Sequence, residues 1–293
     1  MTRAGIVTVV GKPNAGKSTL LNRLIGEKLS ITSEKPQSTR NRIVGILSQG
    51  DVQMIILDTP GLLEPRYALQ RAMRATALQA LEDADVIVYL ADANDGAPPS
   101  LREAAELPRE PSAPTLLVIN KIDTIDSAAR EQWRAQAPSA IQVSARTGEG
   151  VDELLHGITP HLPESPFLYP EDEIGTQSLR FFASELVRES ALEQLDEEVP
   201  YSVACGIEEF REDRTPVYIR AVIYVERESQ KGILVGHRGA RIRELGRASR
   251  EKIERLVGRP VFLDLWVKVL PNWRRNVQAL RRLGYALPEE GRR

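Results

Sequence analysis

Gly11-Lys12-Pro13-Asn14-Ala15-Gly16-Lys17-Ser18 carries the spacing Gly-x-x-x-x-Gly-Lys-Ser directly after an apolar run, Ile6–Val10. A strand that ends in a glycine turn and opens a helix brings backbone N–H groups together around phosphate oxygens, and the positive end of the helix dipole adds to the attraction. Lys17 is placed to reach the β- and γ-phosphates of a nucleotide, and the Ser18 hydroxyl to ligate Mg²⁺. A plain glycine turn joining strand to helix is the alternative. Asp58-Thr59-Pro60-Gly61 follows the strand-like run Met54–Leu57. It sets a carboxylate within reach of a Mg²⁺ water shell and the Gly61 N–H near a γ-phosphate. Asn120-Lys121-Ile122-Asp123 addresses the base. The Asp123 carboxylate can accept from guanine N1–H and the exocyclic N2 amine, whereas adenine would leave that charge unpaired, a difference worth ~10⁴-fold or more. The Lys121 stem would cover the base face, and Asn120 would tie this loop to the phosphate loop. Helix capping by Asp123 is the competing reading. Ser144-Ala145-Arg146 adds a backbone N–H at Ala145 for guanine O6.

Those clusters need a sheet to hold them. Strand-like runs at Ile6–Val10, Ile43–Leu47, Gln53–Leu57, Val86–Ala91, Thr115–Asn120 and Ala140–Val143 are interspersed with helix-like stretches at Thr19–Ile25, Ala68–Ala80 and Val151–Ile158. This pattern predicts an α/β sheet with helices on both faces. A Gly50-Asp51 hairpin turn makes one strand antiparallel. Ligands of such sheets bind beyond the carboxyl ends of the strands, the end at which the phosphate loop leaves the first strand. Pro160, Pro163, Pro166 and Pro170 then fall within eleven residues and lead into Glu171-Asp172-Glu173. That spacing excludes a regular helix or a central strand and marks a linker.

Beyond the linker, Ser178–Leu195 reads as a helix and Tyr201–Phe210 as a strand. Val217, Ile219, Ala221, Ile223 and Val225 alternate with period two as a second strand. A short helix from Lys231, a longer one over Arg241–Val257 and a strand over Val261–Val269 follow, then a basic tail with a short helix from Asn276. Gly236-His237-Arg238-Gly239 lies between the two helices. Its glycines allow close approach to a single-stranded nucleic-acid backbone, flanked by the two side chains between them. Lys231, Gly232 and Arg241 join it as candidate contacts. Residues 227–259 hold ten basic and four acidic side chains, and the net charge is −6 over residues 1–175 against +4 over 176–293. A polyanion-binding face needs such an excess, and a solvated helix face would look the same. Arg274, Arg275, Arg281 and Arg282 are either further phosphate contacts or a solvated tail.

With 293 residues, 42% hydrophobic and 27% charged, the chain reads as a soluble two-domain protein. Cys205 is the only cysteine, which excludes an intrachain disulfide and suits a reducing compartment. Met1-Thr2-Arg3 runs straight into the first strand, leaving no room for a signal peptide, and no apolar run approaches the ~18 residues of a membrane span. A cytoplasmic protein is expected. His156 and His161 have no partners at ligand spacing and read as structural.

The order of the nucleotide clusters resembles the translation-factor-like branch of small GTPases. The helix–strand–strand–helix–helix–strand order around Gly236–Gly239 resembles a type II KH RNA-binding domain. Nearly end to end, the chain resembles the Era-type bacterial GTPases, also through Pro36-Gln37-Ser38-Thr39-Arg40, Glu198-Val199-Pro200-Tyr201-Ser202-Val203, Gln230-Lys231-Gly232 and Leu265-Trp266-Val267-Lys268-Val269. The resemblance implies a P-loop GTPase domain with a mostly parallel mixed sheet over residues 1–165, a linker over 166–176, a smaller α+β type II KH domain over 177–272 and a basic tail over 273–293. It implies GTP/GDP and Mg²⁺ as cofactors, with Thr39 as the switch I threonine that senses the γ-phosphate and completes Mg²⁺ coordination. Asn14 sits where potassium-activated GTPases bind K⁺ beside the phosphates, or it only holds the loop's turn. Leu62 occupies the position of the water-orienting glutamine of Ras-like GTPases, so slow intrinsic turnover is expected. As partners the resemblance implies the 3′ end of small-subunit ribosomal RNA and the 30S subunit in assembly, with peripheral contact to the inner membrane; a monomer is expected. Ser38 and His237 replace a commoner threonine and lysine, the second weakening phosphate contact unless Arg238 compensates. Two rivals stand beside a GTP-hydrolysing RNA switch. One is a passive RNA-binding module with GTP as a structural ligand; the other is a GTPase acting on tRNA or membranes.

Overall fold

A computed structural model describes residues 1–33 and 35–287. The backbone forms two compact units, Met1–Pro65 with Met73–Thr176, and Arg66–Ala72 with Gln177 onward. In the first unit the elements run β1 (Arg3–Gly11), α1 (Lys17–Ile25), β2 (Ile43–Gln49), β3 (Val52–Asp58), α2 (Ala68–Glu82, begun in the second unit), β4 (Val86–Asp92), α3 (Leu101–Ala105), β5 (Thr115–Asn120), α4 (Ser127–Gln136), β6 (Ile141–Gln142) and α5 (Val151–Ile158). They build a six-stranded sheet of order β2-β3-β1-β4-β5-β6. Only β2 runs antiparallel, paired with β3 from Ile43–Asp58 to Gln49–Val52 across the Gly50 turn. The central strands are buried on both faces: Val7, Val9 and Val10 of β1 and Val86 to Leu90 of β4 are at most 5% exposed. Continuous apolar runs of this kind suit a parallel sheet covered by helices on each side.

Within the expected linker over 166–176, residues 168–175 are anchored to the edge of this sheet. The Gln53 side chain accepts from the Leu168 and Tyr169 amides and donates to the Tyr169 carbonyl. The Ile46 amide donates to the Ile174 carbonyl, and Gly45 bridges to Gly175. The prolines exclude a helix, yet extended backbone still pairs at an exposed strand edge.

The second unit runs α6 (Leu179–Gln194), α7 (Val199–Ser202), β7 (Ala204–Arg211), β8 (Val217–Val225), α8 (Glu228–Val235), α9 (Ala240–Val257), β9 (Val261–Val269) and α10 (Val277–Arg282). Its sheet has the order β7-β8-β9, with β7 antiparallel and β9 parallel to β8. Val217, Ile219, Ala221, Ile223 and Val225 all face one core with Val187 and Ala191 of α6 and Leu245 and Ile253 of α9. Tyr201 and Ser202 lie in the short helix α7 rather than in a strand, because Pro200 sits in its first turn, where a missing N–H costs nothing. The expected basic tail is likewise revised. Trp273 is fully buried, donates from Nε1 to the Ser202 carbonyl at 2.8 Å and stacks on Tyr285, while Leu280 is also fully buried. Arg274 pairs with Glu226 and is not a free phosphate contact. Residues 288–293 of that tail lie outside the described residues. Among the described residues no helix is long and apolar enough to cross a membrane.

Candidate nucleotide site and nucleic-acid loop

The phosphate loop leaves β1 and closes on the first turn of α1. Gly16 has φ +97°, and a Cβ there would lie 2.2 Å from Asn120 Nδ2, so no other residue fits. Lys17, 6% exposed, donates from Nζ to the Gly11 and Lys12 carbonyls at 3.2 and 2.8 Å. Burial lowers its pKa to about 8, against the pull of Asp58. Lys12 faces Asp95 at 3.8 Å, and Ala15 is buried behind the loop. Pro13 lies against Gly61. Asn14 is exposed with φ +63°, so it does hold a left-handed turn.

At the carboxyl end of β3, Asp58 is fully buried. Its Oδ2 accepts from Ser18 Oγ at 2.6 Å and from Ser30 Oγ at 2.8 Å. Burial pushes its pKa up, opposed by these hydrogen bonds and the Lys17 charge. Thr39 Oγ1 stands 2.8 Å from Ser18 Oγ. Asp58 Oδ1 is buried with no hydrogen-bond partner among the described residues. Two hydroxyls and an orphaned carboxylate oxygen are the hard donors that suit Mg²⁺ and its water shell. Thr59 donates to the Val9 carbonyl and locks this turn to β1; Pro60 and Gly61 are buried beside it.

Leu62 departs from its expected place at the nucleotide. Its side chain is 6% exposed in a core with Val10, Ala77, Leu81 and Ile87, and only its amide meets the phosphate loop, donating to the Gly11 carbonyl at 3.0 Å. An apolar side chain at this position gains more from that core than from the polar mouth of the site.

Asn120, 2% exposed at the end of β5, joins two loops. Its Nδ2 donates to the Ala15 carbonyl at 2.7 Å, and its Oδ1 accepts from the Ala145 amide at 2.9 Å. The Ala145 amide expected at guanine O6 is therefore spent inside the protein, and reading O6 requires it to exchange partners. Asp123 Oδ1 accepts from Ser144 Oγ at 2.6 Å, and Oδ2 pairs with Arg146. The Ser144 hydroxyl, and then the Arg146 charge, outweigh burial and hold this carboxyl below its usual range. Capping of α4 falls to Asp126, which accepts from the Ala129 amide, and not to Asp123. Lys121 has φ +65° and pairs with Asp92 at 2.6 Å. Ser30 and Asp92 were missed as members of the site, and Arg146 was named only as part of the Ser144-Ala145-Arg146 run, without its pairing to Asp123. Asp92 carried a signal, a carboxylate ending a buried strand, whereas Ser30 in Leu29-Ser30-Ile31 carried none.

In the second unit α8 ends at Gly236, with φ +69°, where a Cβ would lie 2.8 Å from that of Arg241. His237 and Arg238 project into solvent, Gly239 opens α9, Gly232 and Arg241 are exposed, and Lys231 is half-buried. The sequence-predicted contacts thus cluster around one loop at the start of a basic helix.

A family model described as 50S ribosome-binding GTPase matches residues 6–121, and one described as KH domain matches residues 198–274. GTPase Era of Carboxydothermus hydrogenoformans is 42% identical over 291 residues, covering 97% of this chain and 98% of that protein. The chain belongs to the Era family of GTPases. Era of Geobacter metallireducens is 40% identical, with 97% and 98% coverage. The crystal structure of Era in complex with MgGDPNP and nucleotides 1506–1542 of 16S ribosomal RNA superposes with a TM-score of 0.91 at 42% identity, covering 98% of this chain and 100% of that one. A variant of Aquifex aeolicus Era bound to GDP·AlF4⁻ superposes equally well, also at 42% identity and with the same coverage. As an Era-family protein the chain is a GTPase that carries a P-loop GTPase domain with a mixed sheet and a C-terminal KH domain.

Proposed function

We propose that this chain is a GTP-hydrolysing switch that binds the 3′ end of 16S ribosomal RNA through its KH domain and assists 30S subunit assembly. One observation carries the reading. A relative that matches across 98% of the chain, both domains included, was crystallised with nucleotides 1506–1542 of 16S ribosomal RNA and MgGDPNP. The 50S wording belongs to a family model that stops at residue 121, before the KH domain begins.

In this reading Gly11–Ser18 cradles the phosphates, with the Lys17 ammonium neutralising charge on the β- and γ-oxygens. Ser18, Thr39 and Asp58 hold Mg²⁺, which when bound supplies charge neutralisation at the phosphates. Gly61 offers its amide to the γ-phosphate, Asn120 keeps the base loop and the phosphate loop in register, and Asp123 reads guanine. Asp123 must exchange Arg146, 72% exposed at its side chain, for the base edge. Residues 1–165 form the switch, 166–176 connect it, and 177–272 hold RNA at Lys231, Gly232, Gly236–Gly239 and Arg241.

Leu62 contributes no polar atom, so turnover without help is slow, and Asn14 is our candidate for a K⁺ ligand beside the phosphates. Equal turnover in K⁺ and Na⁺ buffers at matched ionic strength would remove Asn14 from that role. The buried Leu62 also sustains a second reading, an RNA module that keeps GTP as a structural ligand. Cytoplasmic residence as a monomer suits a ribosomal target, with peripheral inner-membrane contact as a further implication of the family. The RNA reading is tested by binding a 3′-terminal 16S fragment to the wild type and to Gly236→Asp. A large loss of affinity in the variant is expected. Intact affinity would point to a general anion patch and to tRNA or membranes instead.

A further inference from the structure

Ser30 and Asn22 are two polar groups that support the nucleotide site from behind Asp58. Asn22 lies on α1, five residues after Lys17. Its Oδ1 accepts from the Leu29 amide at 3.0 Å and the Ser30 amide at 2.8 Å, and its Nδ2 donates to the Ser30 carbonyl at 2.7 Å. Three bonds from one amide fix the Ser30 backbone from both sides. Ser30 is 2% exposed, and its hydroxyl donates to Asp58 Oδ2 at 2.8 Å. The same oxygen already accepts from Ser18 Oγ at 2.6 Å. Two hydroxyl donors on Oδ2 leave Oδ1 as the oxygen without a partner.

We infer that Asn22 and Ser30 form a strut that positions the Asp58 carboxylate for Mg²⁺, with Oδ1 presented to the metal's water shell. The inference rests on the guanine-nucleotide reading of the site. A carboxylate free to rotate in a buried pocket would have to be ordered by the metal at the moment of binding, whereas one held at Oδ2 is ordered beforehand. The strut also gives α1, which carries Lys17 and Ser18, a fixed grip on the chain that leads to Thr39. Ser30 and Asn22 are positioning residues and touch neither nucleotide nor metal.

The test is the Mg²⁺ dependence of GDP release from the full chain, followed with N-methylanthraniloyl-GDP. Ser30→Ala removes one oxygen atom and should raise the Mg²⁺ concentration for half-maximal slowing of release about tenfold, the loss of one hydrogen bond to a charged group. Affinity for GDP in EDTA should stay within about twofold of wild type. Asn22→Ala should shift the midpoint in the same direction, and Ser30→Thr, which keeps the hydroxyl, should restore it. An unshifted midpoint in folded Ser30→Ala overturns the strut, whether or not Asn22→Ala folds. Absence of GDP binding by the wild type in both EDTA and Mg²⁺ would overturn the nucleotide reading and the strut together.

Discussion

In the proposed function Asp123 is the residue on which nucleotide choice turns. Its two oxygens are occupied by Ser144 and Arg146, donors of the kind that the guanine edge presents at N1–H and N2. Asp123→Asn replaces an acceptor by a donor and should weaken GTP binding by at least about 100-fold, the loss of two hydrogen bonds to a charged group. The same change should improve xanthosine triphosphate, which carries an acceptor where guanine has its amine, and competition against a fluorescent nucleotide measures both. Because Ser144 and Arg146 hold the Asp123 pKa below its ordinary value, its charged form persists above that lowered pKa and is lost only as pH falls through it. Guanine selectivity over adenine should therefore stay flat from pH 7 to about 5; a decline centred near pH 6 would contradict this assignment. That Lys17, Asp58, Asn120 and Asp123 would be brought to one end of the sheet was legible in the sequence, because they sit in fixed spacings after strand-like runs. Ser30, Leu62 and the Ala145 amide were not. A lone serine carries no pattern, a leucine does not announce whether it faces core or mouth, and an amide's partner depends on where a distant loop lies.

Elements that bury a stripe or a whole face were legible, and those that bury one residue were not. The strands β1, β4 and β8 and the helices α5, α6 and α9 are written as apolar periods long enough to count. Helix α4 buries only Trp133, so its sequence shows no period; α3 buries Leu101 and Ala105 but is only five residues, too short for a period, and is held by a Ser100–Glu103 capping box. The segment after residue 272 misleads in the opposite sense. Its arginines dominate the composition, yet Trp273, Leu280 and Tyr285, spaced too widely to read as a period, dock it into the second unit. Trp273→Ala should destabilise that unit by about 3–5 kcal/mol, the cost of emptying a fully buried aromatic site and orphaning the Ser202 carbonyl. Thermal unfolding followed by tryptophan fluorescence, with GTP added to stabilise the first unit, measures it. A change under ~1 kcal/mol would mean that the segment only rests on the surface.

At the scale of the whole chain, an acidic nucleotide-binding unit is followed by a basic one. The change of unit after Thr176 falls where the prolines mark a linker, whereas the grouping of Arg66–Ala72 with the second unit had no signal in the sequence. Anchoring of residues 168–175 to β2 and Gln53 was not legible either, since the partners are more than a hundred positions apart. Our central claim is that GTP turnover and RNA binding belong to one cycle. Single-turnover hydrolysis of GTP by the intact chain, with and without a 3′-terminal 16S fragment, tests it most directly. The account predicts slow decay of bound GTP alone, faster decay with the fragment, and no acceleration in Gly236→Asp. Bound GTP that does not decay, with the RNA bound and without effect on it, would contradict the account and leave a passive RNA-binding module.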